Sequence, residues 1–128
     1  MGYTTSKTVD GEFEMVVDET RAALEDEGFG ILCDIDVQAT FAEKLEEQFR
    51  QYRILGACNP KLAFQGLQDD INLGALLPCN VVVYETDEGS VVVSAVDANQ
   101  LMDIADNPDL DSIGDDAAAR FQRVLDAL

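Results

Sequence analysis

The sequence predicts a compact α+β domain: one mainly antiparallel sheet of about five strands with helices packed on it. Three patterns predict it. Short β-branched runs alternate with stretches of helical period over the first two-thirds of the chain. Two such runs, CNVVVYE and SVVVSAVD, follow one another across TDEG, a hairpin signal with Gly89 at its end. A length of 128 residues with 47% hydrophobic content fits one domain over 1–128, large enough to bury a core without staples.

The elements follow in order. Tyr3 to Val9, rich in Thr and Val, reads as a first strand that Asp10-Gly11 breaks. Phe13, Val16, Val17, Thr20 and Leu24 then fall at helical spacing, and Gly28 closes that helix. In FGILCDIDV, Phe29, Ile31, Cys33, Ile35 and Val37 alternate with Gly30, Leu32, Asp34 and Asp36, which predicts a strand with one buried face and Cys33 as core filler. Gln38 to Phe49 reads as a second helix, with Phe41, Leu45 and Phe49 four apart, and Tyr52 to Cys58 as a third strand. Asn59 is a good N-cap and Pro60 suits the first helical position. The short helix they start has Ala63, Phe64, Leu67 and Ile71 on one face, and NLGALLP after it reads as a loop. The two valine runs are apolar on both faces, as inner strands are. Asp97 to Ala105 carries a short helix. Ile113, Ala117, Phe121, Val124, Leu125 and Leu128 form the clearest amphipathic stripe, acidic in its first turn, with Arg120 and Arg123 late. The main order is β-α-β-α-β-α-β-β-α, and a parallel arrangement of the first three strands is an open alternative.

Twenty-six Asp and Glu face eight Lys and Arg, a formal charge of −18. Such a surface repels phosphate backbones and anionic lipid, so neither nucleic acid nor membrane is an expected partner. The acids are dispersed, not gathered in a tail, and Lys is scarce, a pattern of proteins that work in molar salt, where the Debye length falls to about 3 Å. The N-terminus has no apolar signal core and no run approaches a membrane span, so a cytoplasmic location with reduced cysteines is expected. With no His and no C-x-x-C, a zinc site would need all three cysteines and a carboxylate, and no metal or cofactor is expected. Asp34 and Asp36 could hold a cation, but a solvated strand face explains them as well. DNPDLD lacks the Gly and closing Glu of a calcium loop. There is no phosphate-binding or nucleophile-elbow motif, so no familiar enzyme class is supported.

One combination remains. Cys58-Asn59-Pro60 and Pro78-Cys79-Asn80 place a Cys-Asn pair beside a proline twice, 21 residues apart. Capping explains Asn59 and Pro60, and Pro78 can open a strand. Neither explains a thiol at both places. A helix N-terminus next to Cys58 would lower its pKa, and Lys44, Arg50, Arg53 and Lys61 are half of all the positive side chains. Three readings stay open: two inert buried thiols, capture of a small anionic ligand by helix amides with Arg53 or Lys61, or thiol chemistry with Cys79 resolving Cys58.

The stretch YRILGACNPKLAFQGLQDDINLGALLPCNVVVYE, with the upstream GFGILCDIDV, resembles the signature of the domain-of-unknown-function family 302. The matching positions are Gly56, Cys58, Asn59, Pro60, Pro78, Cys79 and Asn80. The resemblance implies a small α+β fold related to the TATA-binding-protein-like group and a tendency to dimerise. It implies no settled activity, although some members lie beside sulfur-oxidation or redox genes. The expected function is therefore binding of a small ligand at Arg53, Gly56, Cys58, Asn59, Pro60, Lys61, Pro78, Cys79 and Asn80, by a homodimer that is not an enzyme. The alternative is a redox or sulfur-handling protein using Cys58 and Cys79.

Overall fold

A computed structural model describes residues 2–128. Five strands, β1 (Thr4–Val9), β2 (Gly30–Asp36), β3 (Tyr52–Cys58), β4 (Cys79–Glu85) and β5 (Val91–Val96), form one sheet in the order β1-β5-β4-β3-β2, with every pairing antiparallel. The parallel alternative for the first three strands does not occur. β4 and β5 are inner strands, as their two-sided valine runs require. Five helices accompany them: α1 (Phe13–Asp26), α2 (Val37–Leu45), α3 (Pro60–Asp69), α4 (Ala98–Ala105) and α5 (Asp111–Asp126), with 3-10 turns at Ile71–Leu76 and Pro108–Leu110.

One face of the sheet is covered. Leu55, Ala57, Val81, Val83, Val93 and Ala95 point into it and are at most 1% exposed. α1 lays Phe13, Val16, Val17, Thr20 and Leu24 against them, the predicted stripe, and Thr20 Oγ1 satisfies itself on the Val16 carbonyl at 2.7 Å. α5 adds Ile113, Ala117, Phe121, Val124 and Leu125, with Phe121 stacked on Phe29 at 4.5 Å. Burying side chains of this size stabilises by about 1.5–3 kcal/mol each. Lys7 reaches the end of α5 and donates to the Leu125 carbonyl, where a helix C-terminus favours a cation. A second, smaller apolar cluster of Leu73, Met102, Leu110 and Ile113 joins α4, α5 and the two 3-10 turns.

Three expectations need correction. Cys33 is exposed, not core filler. The β2–β3 register runs Ile31↔Ala57, then Cys33↔Gly56, so Leu32 is an extra residue in a β-bulge. A bulge reverses the alternation after it. Ile31 therefore faces the core, whereas Cys33 and Ile35 emerge on the opposite face, and Asp34 and Asp36 turn to the helix side. Asp34 is not merely solvated there. Arg53 binds it through two hydrogen bonds of 2.7 and 2.6 Å and Arg21 through one of 2.7 Å. Those guanidiniums hold its carboxyl below the usual range, while Asp36 caps α2 by accepting from the Ala39 N–H. Second, α2 ends at Leu45, and Glu46 takes a left-handed φ of 54° that stops it short of Phe49. Third, in α3 the apolar face is set by Leu62, Ala63, Gly66 and Leu67. Phe64 is 65% exposed and Ile71 80%.

Candidate functional site

The two Cys-Asn blocks meet because β3 and β4 are neighbours in antiparallel register. Ala57 stands opposite Cys79 and Gly56 opposite Asn80, so the end of β3 lies beside the start of β4. Behind them the sheet end, α3, α4 and α5 line a half-open cavity of about 40 Å³. Cys58, Asn59 and Cys79 contribute to its wall, with Leu62, Met102 and Ala117 among the apolar side chains that complete it. A space of this size admits about one or two waters or a molecule of comparable bulk.

The remaining predicted residues are placed as follows. Asn59 caps α3: its side-chain oxygen accepts from the Leu62 N–H at 3.2 Å, and its carbonyl takes the Ala63 N–H at 2.9 Å. Those amides are thereby used by the protein's own backbone and cap. Pro60 occupies the first turn of α3 and is exposed, as is Lys61, and neither borders the cavity. Arg53 sits five residues before Cys58 on β3, about 16 Å away at the strand rise. It is committed to Asp34 and Glu14. The cation expected at the rim is therefore absent from the cavity wall. Asn80 is exposed on the open face of the sheet, opposite Gly56. Gly56 and Pro78 act on that face too. A Cβ at Gly56 would lie 2.5 Å from Cys33 Sγ and 3.0 Å from Pro78 Cγ, so the glycine makes room for both.

The two thiols differ from the expectation of a lowered pKa. Burial pushes Cys58 above the ordinary thiol range. Burial, and then the nearby Cys58, push Cys79 up to about 11. Of the free amides at the start of α3, that of Leu62 is taken up by the Asn59 cap. Both sulfurs are soft, uncharged contacts at neutral pH, and Cys79 is buried while Cys58 is half-buried.

The sequence reading missed the helical half of this wall. Met102 and Ala117 belong to elements read only as helices. The small residues Gly114 and Ala117 on the α5 stripe were the available signal, because small side chains on a core-facing stripe leave space.

The fold and the site together define a class: small α+β domains with one sheet face covered by helices and a thiol-lined cavity at the sheet end. The chain belongs to the family described as Domain of unknown function DUF302, whose model matches residues 5–128. Among solved structures it is similar to the crystal structure of an uncharacterized conserved DUF302 protein from Bacillus stearothermophilus, at 26% identity and a TM-score of 0.91. That match covers 98% of this chain and 97% of the other. No curated protein matches the chain.

Proposed function

We propose that this DUF302 protein binds one small, uncharged, polarisable molecule in the cavity between the β3–β4 end and α3, α4 and α5. The observation that supports this reading most is that Cys58 and Asn59 of the first block and Cys79 of the second, 21 residues from Cys58 in sequence, line a single cavity. Its lining is apolar with two neutral sulfurs, and Arg53 and Lys61 stand away from it, so the anionic ligand considered from sequence gives way to a neutral one. Met102, flexible and polarisable, is the side chain able to enlarge the space.

The test uses xenon under pressure and, separately, methanethiol as probes, read by amide chemical shifts of the intact protein. Saturable shifts at Cys58, Cys79 and Ala117 are expected, and they should disappear in Ala63→Leu, which fills the cavity from α3. Shifts scattered over the surface, or unchanged in the filled variant, overturn the proposal.

A redox or sulfur-handling role is the second reading. It is favoured by the shared wall of Cys58 and Cys79 and opposed by the burial that keeps both protonated. Alkylation of dilute folded protein distinguishes the two. Binding alone predicts that Cys33 reacts first and that Cys79 stays silent until pH approaches 11 or denaturant is added. Rapid modification of Cys58 below about pH 8, under the ordinary thiol range, would favour the redox role instead.

A further inference from the structure

Asn59 is the one side chain of the cavity wall that carries a strong hydrogen-bonding group. The thiols of Cys58 and Cys79 are weak donors, the thioether of Met102 is a weak acceptor, and the other lining side chains are hydrocarbon. A side-chain amide has an oxygen that accepts and a nitrogen that donates. In Asn59 the oxygen is occupied, because Oδ1 takes the Leu62 N–H at 3.2 Å. That bond also fixes which atom is the oxygen, since the nitrogen cannot accept it. Nδ2 is the free end, and it donates no hydrogen bond among the described residues. No buried side-chain nitrogen or oxygen is left unpaired there, so Nδ2 reaches solvent.

Two observations set this nitrogen at the cavity mouth. Cys58, Asn59, Leu62 and Ala63, at the junction of β3 and α3, are half-buried, whereas Ala98, Met102 and Ala117 behind them are buried, so the cavity opens beside Asn59. Gly28, in the turn between α1 and β2, has a left-handed φ of 86°, and a Cβ on it would lie 3.0 Å from Asn59 Nδ2 and 3.4 Å from Arg120 Nη1. The next residue, Phe29, lines the cavity. Arg120 cannot satisfy Nδ2 from across that point. Its guanidinium is itself a donor, held by the Glu27 carbonyl at 2.8 Å and by Asp116 at 2.7 Å.

We infer that Asn59 selects what the cavity takes: its Nδ2 donates to a hydrogen-bond acceptor on the ligand, and the site prefers a compact dipolar acceptor, such as a nitrile, a carbonyl or a sulfoxide, to a hydrocarbon or a donor of the same shape. The inference rests on the cavity binding proposed above and narrows its ligand class. The wall suits such a molecule at both ends. Its apolar end gains burial against Leu62, Met102 and Ala117, and its acceptor end meets Nδ2 at the mouth. A donor of the same shape finds no strong free acceptor among the lining side chains, so it loses a hydrogen bond to water on entry. A hydrocarbon gains the burial but leaves Nδ2 without an acceptor where it displaces water.

The test titrates the full chain with acetonitrile and with propyne, rod-shaped molecules of similar size of which only the first ends in an acceptor. Xenon reports the cavity alone. Backbone amide and side-chain NH2 chemical shifts are the readout. Acetonitrile should move the Cys79 and Ala117 amides and, at the same midpoint, draw the Asn59 side-chain NH2 protons downfield. Propyne should move the backbone amides without that downfield shift. Asn59→Ser keeps an uncharged cap but lacks the amide. In it the ratio of acetonitrile to propyne affinity should fall about three- to tenfold, the usual contribution of one neutral hydrogen bond. Taking the ratio cancels any change in the cavity that both probes share. If acetonitrile saturates the Cys79 and Ala117 amides and leaves the Asn59 side chain unmoved, the inference is overturned and the cavity reading stands. An unchanged ratio in Asn59→Ser has the same consequence, as does a cavity that takes xenon and propyne but not acetonitrile. If xenon and both probes leave those amides unmoved, the cavity reading fails, and this inference with it.

Discussion

Gly56 has no side chain, and the Cys33 sulfur and the Pro78 ring take up the space that one would fill. A methyl at this position must displace a neighbour across the β2–β3 pair, and overpacking of this kind costs about 1–3 kcal/mol. Gly56→Ala should therefore lower the melting temperature by several degrees. In a Cys33→Ala background the same substitution should cost clearly less, because the sulfur is gone and only the Pro78 contact of 3.0 Å remains. Thermal unfolding of the four proteins in a double-mutant cycle checks this, and equal losses in both backgrounds would exclude the contact as the cause. Gly56 and Pro78 of the family signature thus form, with Cys33, a packing unit on the open face. Cys58, Asn59 and Cys79 serve the other side, at the cavity.

Among the helices, α3 is the one whose attachment depends most visibly on its first residue. Its buried complement is Gly66 alone, with Leu62, Ala63 and Leu67 half-buried. Asn59 joins the end of β3 to its first turn through the bond to the Leu62 N–H. Asn59→Ala should cost about 1 kcal/mol of global stability, the usual value of a lost N-cap, while Asn59→Asp should retain most of it. Amide exchange gives the sharper reading. Protection in α3 should fall in the alanine variant before that of α1 or α5 changes, and a uniform loss across all helices would contradict local control by the cap. By contrast, α1 and α5 bury six residues each and are expected to exchange only on global opening.

For the molecule as a whole, the net charge of −18 bears on how stability should respond to salt. All five arginines make ion pairs, with Asp34, Asp87, Glu14, Asp116 and Glu27. Of the 26 acidic residues, 21 have no such partner among the described residues. Exposed pairs contribute little, about 0–1 kcal/mol each, so they do not offset the repulsion of the rest. If the chain is adapted to salt, counterions offset that repulsion, and the melting temperature should climb by many degrees between low-salt buffer and molar KCl. Calorimetry at fixed pH and fixed protein concentration isolates the effect. A flat response would remove the salt-adapted reading of the composition. Among the described residues no helix is long and apolar enough to cross a membrane.

Periodicity and capping were sufficient for most of the architecture. The stripes of α1 and α5, the cap at Asn59, the inner position of the two valine strands and the family signature all rest on local or nearest-neighbour physics, which the order of residues carries directly. β2 shows where that reading stops. Its alternation looked regular, yet one unpaired residue, Leu32, reversed the facing of everything after it, and a bulge is defined by the partner strand, not by its own sequence. Arg53 is the same lesson in electrostatics. Its nearness to Cys58 in sequence became separation along a strand, and Asp34, turned inward by the bulge, claimed it. The sequence marked both Cys-Asn blocks. That Cys58, Asn59 and Cys79 share one cavity while Asn80 turns to the open face, and that burial keeps both thiols protonated, comes from strand pairing between distant residues, and only the assembled sheet sets which side chains share a wall.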